Sequence, residues 1–159
     1  MKWKPTSTVA LIGSGLFVSS AQQATELRVF TSAQAESGRV TYERTCGRCH
    51  TPALSGRTGD KGELPSIDSL PASYQKFIKS SRGVVPPLAG KVFLDRWGGK
   101  TAAELIARFQ ITADDPFFQF EDMDAESTVD ITAYVLQVNG AKSGTQPLTR
   151  ATGAIVNSA

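Results

Sequence analysis

The stretch "YERTCGRCHTP", residues 42–52, contains both cysteines and the single histidine of this 159-residue chain. Cys46 and Cys49 stand three positions apart, so a disulfide between them would close only a short loop and stabilise little. Two thiols and one imidazole crowded into five residues call for chemistry that uses all three together.

Moving toward the N-terminus, Lys2 and Lys4 make a positive start, "VALIGSGLFV" (residues 9–18) is an apolar run, and Ser19-Ser20-Ala21 supplies small residues for cleavage. This reads as an export signal over residues 1–21. The run is too short to span a bilayer, and its two glycines and serine make it a poor soluble helix. Cleavage elsewhere, for instance after Ala24, or retention as an anchor stays open. Taking away residues 1–21 removes two lysines and no acids from 17 basic and 15 acidic residues, so the remainder balances at 15 of each. Such a chain has no basic stripe to neutralise phosphates, which argues against nucleic acid. The expected product is periplasmic or otherwise exported, with no membrane span, and its 40% hydrophobic content suffices for one compact domain.

Helical signals surround the motif. Thr31 and Gln34 form a capping box for a helix running to about Cys46, with Ala35, Gly38, Tyr42 and Thr45 on one face. Gly38 inside that helix costs close to 1 kcal/mol relative to alanine, which points to a close approach by another segment. Residues 51–72 read as a long loop, "PASYQKFIKS" as a short helix with Tyr74, Phe77 and Ile78 on one side, and "RGVVPPLAG" as extended chain. "KTAAELIARFQ" carries a second capping box, Thr101 with Glu104, and places Ala102, Leu105, Ile106 and Phe109 at helical spacing. "ITADDPFFQFEDM" reads as an irregular loop that buries its phenylalanines. A last helix begins at the N-cap Asp124, presents Ile131, Tyr134, Val135 and Val138, and ends at Asn139-Gly140. Residues 141–159 are polar and without periodicity, either wrapping the surface or loose. The expectation is an all-α chain of three to five helices and long loops, with too few regular elements for a core unless a large apolar group sits at its centre.

"CGRCH" matches the pattern by which c-type haem is attached: two thiols add to the vinyl groups and the adjacent histidine reaches the iron. A zinc site would want four Cys or His ligands, and the chain has three in all. A thioredoxin-like redox pair would want a strand leading into the motif, and none is visible.

With these landmarks the chain resembles the class I single-haem cytochromes c, especially the small exported c domains that accompany quinoprotein dehydrogenases. The resemblance covers roughly residues 31–148 through "GRVTYERTCGRCH", "VPPLAG", "RWGGKTAAEL" and "DITAYVLQVNGAKSGTQPL". It implies a cytochrome c-like fold over residues 31–140, followed by a polar extension at 141–159. It also implies one covalently bound haem c per chain, held by Cys46 and Cys49, with His50 as proximal ligand. The Pro86 carbonyl would accept a hydrogen bond from the other nitrogen of His50, Leu88 would pack on the haem face, and Gly38 with Tyr134 would mark the crossing of first and last helices. Trp97 is either near a propionate or core filler.

The family supplies a methionine as sixth iron ligand, which raises the reduction potential, and Met123 is the sole candidate once Met1 is set aside. Counted back from "DITAYVL", Met123 falls later than the family's Met-Pro, which aligns near Asp115-Pro116. Either the loop brings Met123 to the iron, or the sixth position is open, water-filled or held by another group and Met123 packs beside the haem. The leading reading is an exported electron carrier between a redox partner, such as a quinoprotein dehydrogenase, and a downstream acceptor, with no substrate turnover of its own. The alternatives are a small-ligand sensor, or a peroxidase-like enzyme in which Asp114, Asp115 or Glu121 serves as the distal group.

Overall fold

A computed structural model of the protein describes residues 28–58, 66–115 and 123–156. The expected export signal, the phenylalanines at 117, 118 and 120, and Glu121 lie outside the described residues.

The described chain is mostly helical, with one two-stranded sheet. Helix α1 (Ser32–Arg44) opens on the Thr31–Gln34 capping box, with both reciprocal bonds present, and buries Ala35, Gly38 and Tyr42. It is followed by one turn of helix, α2 (Gly47–His50), on the CxxCH stretch itself. Strand β1 (Arg57–Thr58) pairs antiparallel with β2 (Val84–Val85), Arg57 opposite Val85. Between the strands come a single 3-10 turn (Ile67–Ser69) and helix α3 (Ala72–Ser80). Three further helices complete the order: α4 (Lys91–Trp97), α5 (Ala102–Ala113) and α6 (Ala125–Val138).

The most extensive contact between elements is α1 on α6. Gly38 makes it possible. A Cβ built there would collide with the Asp130 carbonyl and sit 2.8 Å from the Ile131 amide nitrogen, so only hydrogen fits where the two backbones cross. One turn further along both helices, the rings of Tyr42 and Tyr134 meet at 5.4 Å between centroids and 55° between planes, a tilted aromatic pair. Helix α6 also buries Thr128 and Thr132, whose hydroxyls donate back to the carbonyls of Ala125 and Thr128. That back-bonding lets polar residues occupy a core face that hydropathy periodicity assigns to apolar ones.

Elsewhere the helical faces match the expected ones with two exceptions. Phe77 and Val138 are largely exposed. Helix α4 was not expected: it spans seven residues between Gly90 and Gly98, and its N-cap Gly90 has no side chain to give a capping signature. Helix α5 runs past Gln110 to Ala113.

The C-terminal stretch wraps rather than hangs loose. Leu148 and Val156 are buried in the main core. Gln34 clamps the Leu148 main chain with bonds of 2.9 and 2.8 Å. The carbonyls of Thr152 and Ala154 accept from the Ala103 and Ala102 amides, satisfying donors that the first turn of α5 leaves unpaired. The packed unit therefore includes residues 141–156. Among the described residues no helix is long and apolar enough to cross a membrane.

Candidate functional site

The apolar interior is divided. A large cluster is built from α1, α4, α5, α6 and the C-terminal strap, and Cys46, Trp97 and Met123 pack against it. A smaller cluster comprises Leu70, Tyr74, Ile78 and Val85, with Cys49 packed against it. The two cysteines of the motif thus face different cores. A cavity of about 350 Å³ joins them, lined by Cys46, Cys49, His50, Pro86, Leu88 and Met123. All six of the expected site residues meet there, from three separate parts of the chain.

The motif is held from behind by α1. The Tyr42 hydroxyl donates to the Thr51 carbonyl at 2.7 Å. Gly47 lies against Tyr42, where an added Cβ would come within 3.0 Å of its carbonyl oxygen. Burial pushes the Tyr42 phenol far above its ordinary range, so it stays a neutral donor. After His50 the chain turns sharply, with Thr51 at φ 72° and Leu54 at φ 57°. For non-glycine residues the left-handed region costs about 1–2 kcal/mol. Here it is maintained because Leu54 is buried and its carbonyl accepts from both Leu88 (2.8 Å) and Ala89 (3.2 Å). Those bonds and the β1–β2 pair carry the Pro86 segment across to the histidine.

Nδ1 of His50 lies 2.8 Å from the Pro86 carbonyl oxygen. A carbonyl only accepts, so Nδ1 carries the hydrogen and Nε2 keeps its lone pair. Burial lowers the His50 pKa, and the Pro86 bond opposes part of that shift. Burial favours a neutral imidazole and the Pro86 bond defines its tautomer, together the state that ligates a metal. The thiols are free. Burial pushes Cys46 up, with the Thr45 hydroxyl pulling the other way; burial also pushes Cys49 up, opposed by Arg57 and Arg48.

A haem fits this donor set. Among the described residues no three His, Cys, Asp or Glu side chains converge as a metal cage, but a haem iron needs only axial protein ligands because the porphyrin supplies the rest. The cavity walls are mostly apolar, and large apolar side chains stand exposed along them: Phe77 at 42%, Val84 at 49%, Val92 at 66% and Ile111 at 64%. Such clustering is the mark of a surface that receives an apolar partner. Cys46 and Cys49 would hold the group covalently, with His50 and Met123 available to its iron.

Trp97 lines the cavity while stacking on Phe93 at 6.5 Å, with the Lys100 ammonium 5.9 Å from its ring centroid. Asp115 also lines the cavity, whereas Asp114 caps α5 and accepts a bond from Gln110. Sequence reasoning missed Arg96 and Arg108, two cations on the cavity wall. Arg108 could have been found, because it precedes Phe109 on a helix already recognised; Arg96 could not, because α4 was not foreseen.

No known protein family, curated protein or solved structure matches this chain.

Proposed function

We propose that this protein is an exported single-haem c-type cytochrome. It takes single electrons from a dehydrogenase, of the quinoprotein kind whose c domains it resembles, and passes them to an acceptor. The observation that carries this reading is the convergence of Cys46, Cys49, His50 and Met123 on one apolar cavity, with the His50 tautomer set by Pro86 at 2.8 Å. Bound there, haem c would supply reversible one-electron chemistry at its iron.

The chain's own contribution is placement. Tyr42 and Leu54 fix the turn that carries His50, and Pro86 holds its ring with Nε2 facing away from the carbonyl. Leu88 and the stacked Phe93–Trp97 pair give the cavity apolar wall. Met123 lines the same cavity as His50 and would be available with it to hold the iron. A methionine there favours ferrous iron and suits a carrier.

The test is expression in a host with a c-type haem attachment system. Haem should stay with the chain through acidified organic extraction, and Cys46→Ala with Cys49→Ala together should abolish that retention. The reduced protein should then resist CO. A chain that never retains haem overturns the reading. Haem retained with ready CO binding would instead favour a sensor or a peroxidase-like enzyme, with Asp115 as the acidic group on the cavity wall.

A further inference from the structure

The C-terminal strap makes a connection that packing alone does not require. Arg150 sends Nη2 to the Gln110 side-chain oxygen at 2.9 Å and to the Ala125 carbonyl at 2.6 Å. Gln110 is a node: the same oxygen lies 3.0 Å from the buried Thr128 hydroxyl, whose one hydrogen it shares with the Ala125 carbonyl, while its amide nitrogen donates to Asp114 at 2.7 Å. Asp114 ends α5 and Ala125 begins α6. One network therefore ties together both ends of the α5–α6 connection. Met123 lies two residues before Ala125, half-buried and on the cavity wall.

Arg150 is itself held in place. It sits between Leu148, buried in the core and clamped by Gln34, and Thr152, whose carbonyl accepts from Ala103 and whose hydroxyl accepts from the Thr149 amide. An exposed arginine ordinarily contributes little, because ordering its long side chain offsets what the bond gains. Here the backbone on both sides is already anchored, and the energy of the bond acts locally, on where the chain enters α6.

We propose that Arg150 is a positioning residue that, through Gln110 and Ala125, fixes the entry of Met123 into the cavity as the second axial ligand of a bound haem. This rests on the function proposed above. The strap then has a role beyond covering the core: it bridges the two helices flanking the ligand-bearing connection, and loss of the Arg150 side chain alone would loosen the sixth position while leaving the α1–α6 crossing and the His50–Pro86 bond intact.

The experiment compares the haem-loaded wild type with Met123→Ala, Arg150→Ala and Arg150→Lys, reading CO binding to the reduced protein, reduction potential and thermal unfolding. The wild type should resist CO and Met123→Ala should bind it readily. Arg150→Ala should bind CO roughly tenfold more readily than the wild type, the lower end of what outer partners of a metal ligand are worth. Its potential should fall toward that of Met123→Ala while its unfolding temperature stays close to the wild type's. Arg150→Lys, which keeps a donor, should lie between. An Arg150→Ala protein that resists CO and keeps the wild-type potential overturns the positioning role and leaves the cytochrome reading standing. A wild type that binds CO as readily as Met123→Ala overturns both methionine ligation and this role, and a wild type without covalent haem removes the reading on which they rest.

Discussion

The Nδ1 atom of His50 and the carbonyl oxygen of Pro86, 36 residues apart in sequence, lie 2.8 Å from one another. What leaves room for that approach is Gly56. Its φ is +67°, and a Cβ on it would collide with the Val85 carbonyl and lie 2.7 Å from the carbonyl carbon of Pro86. Replacing Gly56 with alanine should push the Pro86 carbonyl away from the imidazole. A weaker bond to Nδ1 makes the histidine a poorer electron donor, which disfavours ferric iron, so the reduction potential of the haem-loaded protein should rise. The left-handed backbone and the overlap together should cost about 1–3 kcal/mol of stability. Potentiometric titration beside urea unfolding checks both, and an unchanged or lower potential would show that Gly56 does not govern the histidine.

Gly38 sets a second, independent test. Alanine would improve the intrinsic helix propensity of α1 by close to 1 kcal/mol. Against that, its methyl would meet the Asp130 carbonyl and the Ile131 amide, backbone atoms of a packed helix that cannot rotate away. Overpacking of this kind costs typically 1–3 kcal/mol and more when backbones must separate, so the clash wins. Gly38→Ala should lower the urea midpoint of the apo protein, with a net loss on the order of 2 kcal/mol. A midpoint equal to or above that of the wild type would mean that α1 and α6 do not cross at this residue.

Both glycines bear on what could be read without coordinates. Gly38 was legible because a glycine within a strong helical pattern breaks the local rule, and local conflicts mark places where tertiary structure decides. The capping boxes at Thr31 and Thr101 were legible for the opposite reason: the residue types specify both partners of each bond. At Asp124 the N-cap was legible, but the reciprocal bond comes from Ser127, which the usual Glu or Gln signature does not anticipate. Gly56 was invisible, since in a Gly-, Ser- and Pro-rich loop one more glycine carries no signal. Helix α4 was hidden by its brevity. Wrapping was one of two readings left open for residues 141–159, because the main-chain bonds of the strap to Lys100, Ala102 and Ala103 leave no trace in side-chain periodicity.

The thiols give a third prediction, on the chain without haem. Burial raises the pKa of both, but Arg57 and Arg48 pull Cys49 back, whereas Cys46 lies against the main core with a hydroxyl as its chief counterweight. Thiolate is the reactive form. Iodoacetamide should therefore label Cys49 before Cys46, and both more slowly than a free thiol at pH 8. The sign for stability follows. A thiol whose folded pKa is raised contributes stability that is fully present below the unfolded value, about 8.5, and is lost as pH rises through the folded value. The apo protein should thus weaken in alkali above that point, and serine at both positions should flatten the decline. Equal labelling rates at the two sites, mapped by peptide mass, would contradict the assigned environments.

The Tyr42 hydroxyl gives the last. It is buried, and its donor bond to the Thr51 carbonyl at 2.7 Å is what joins α1 to the turn after His50. Tyr42→Phe keeps the ring, its contact with Tyr134 and its packing on Gly47. The Thr51 carbonyl retains the Leu54 amide as a donor at 3.1 Å, so it is not left without a partner. The loss should accordingly be that of one ordinary hydrogen bond, about 0.5–1.5 kcal/mol, well below what Tyr42→Ala would cost by opening a cavity, roughly 3–5 kcal/mol. Hydrogen exchange should locate the smaller effect, with the Leu54 and Gly56 amides of the turn exchanging faster while the α6 amides keep their protection. Faster exchange throughout α1 and α6 instead would mean that the hydroxyl supports the helix crossing and not the turn that carries the histidine.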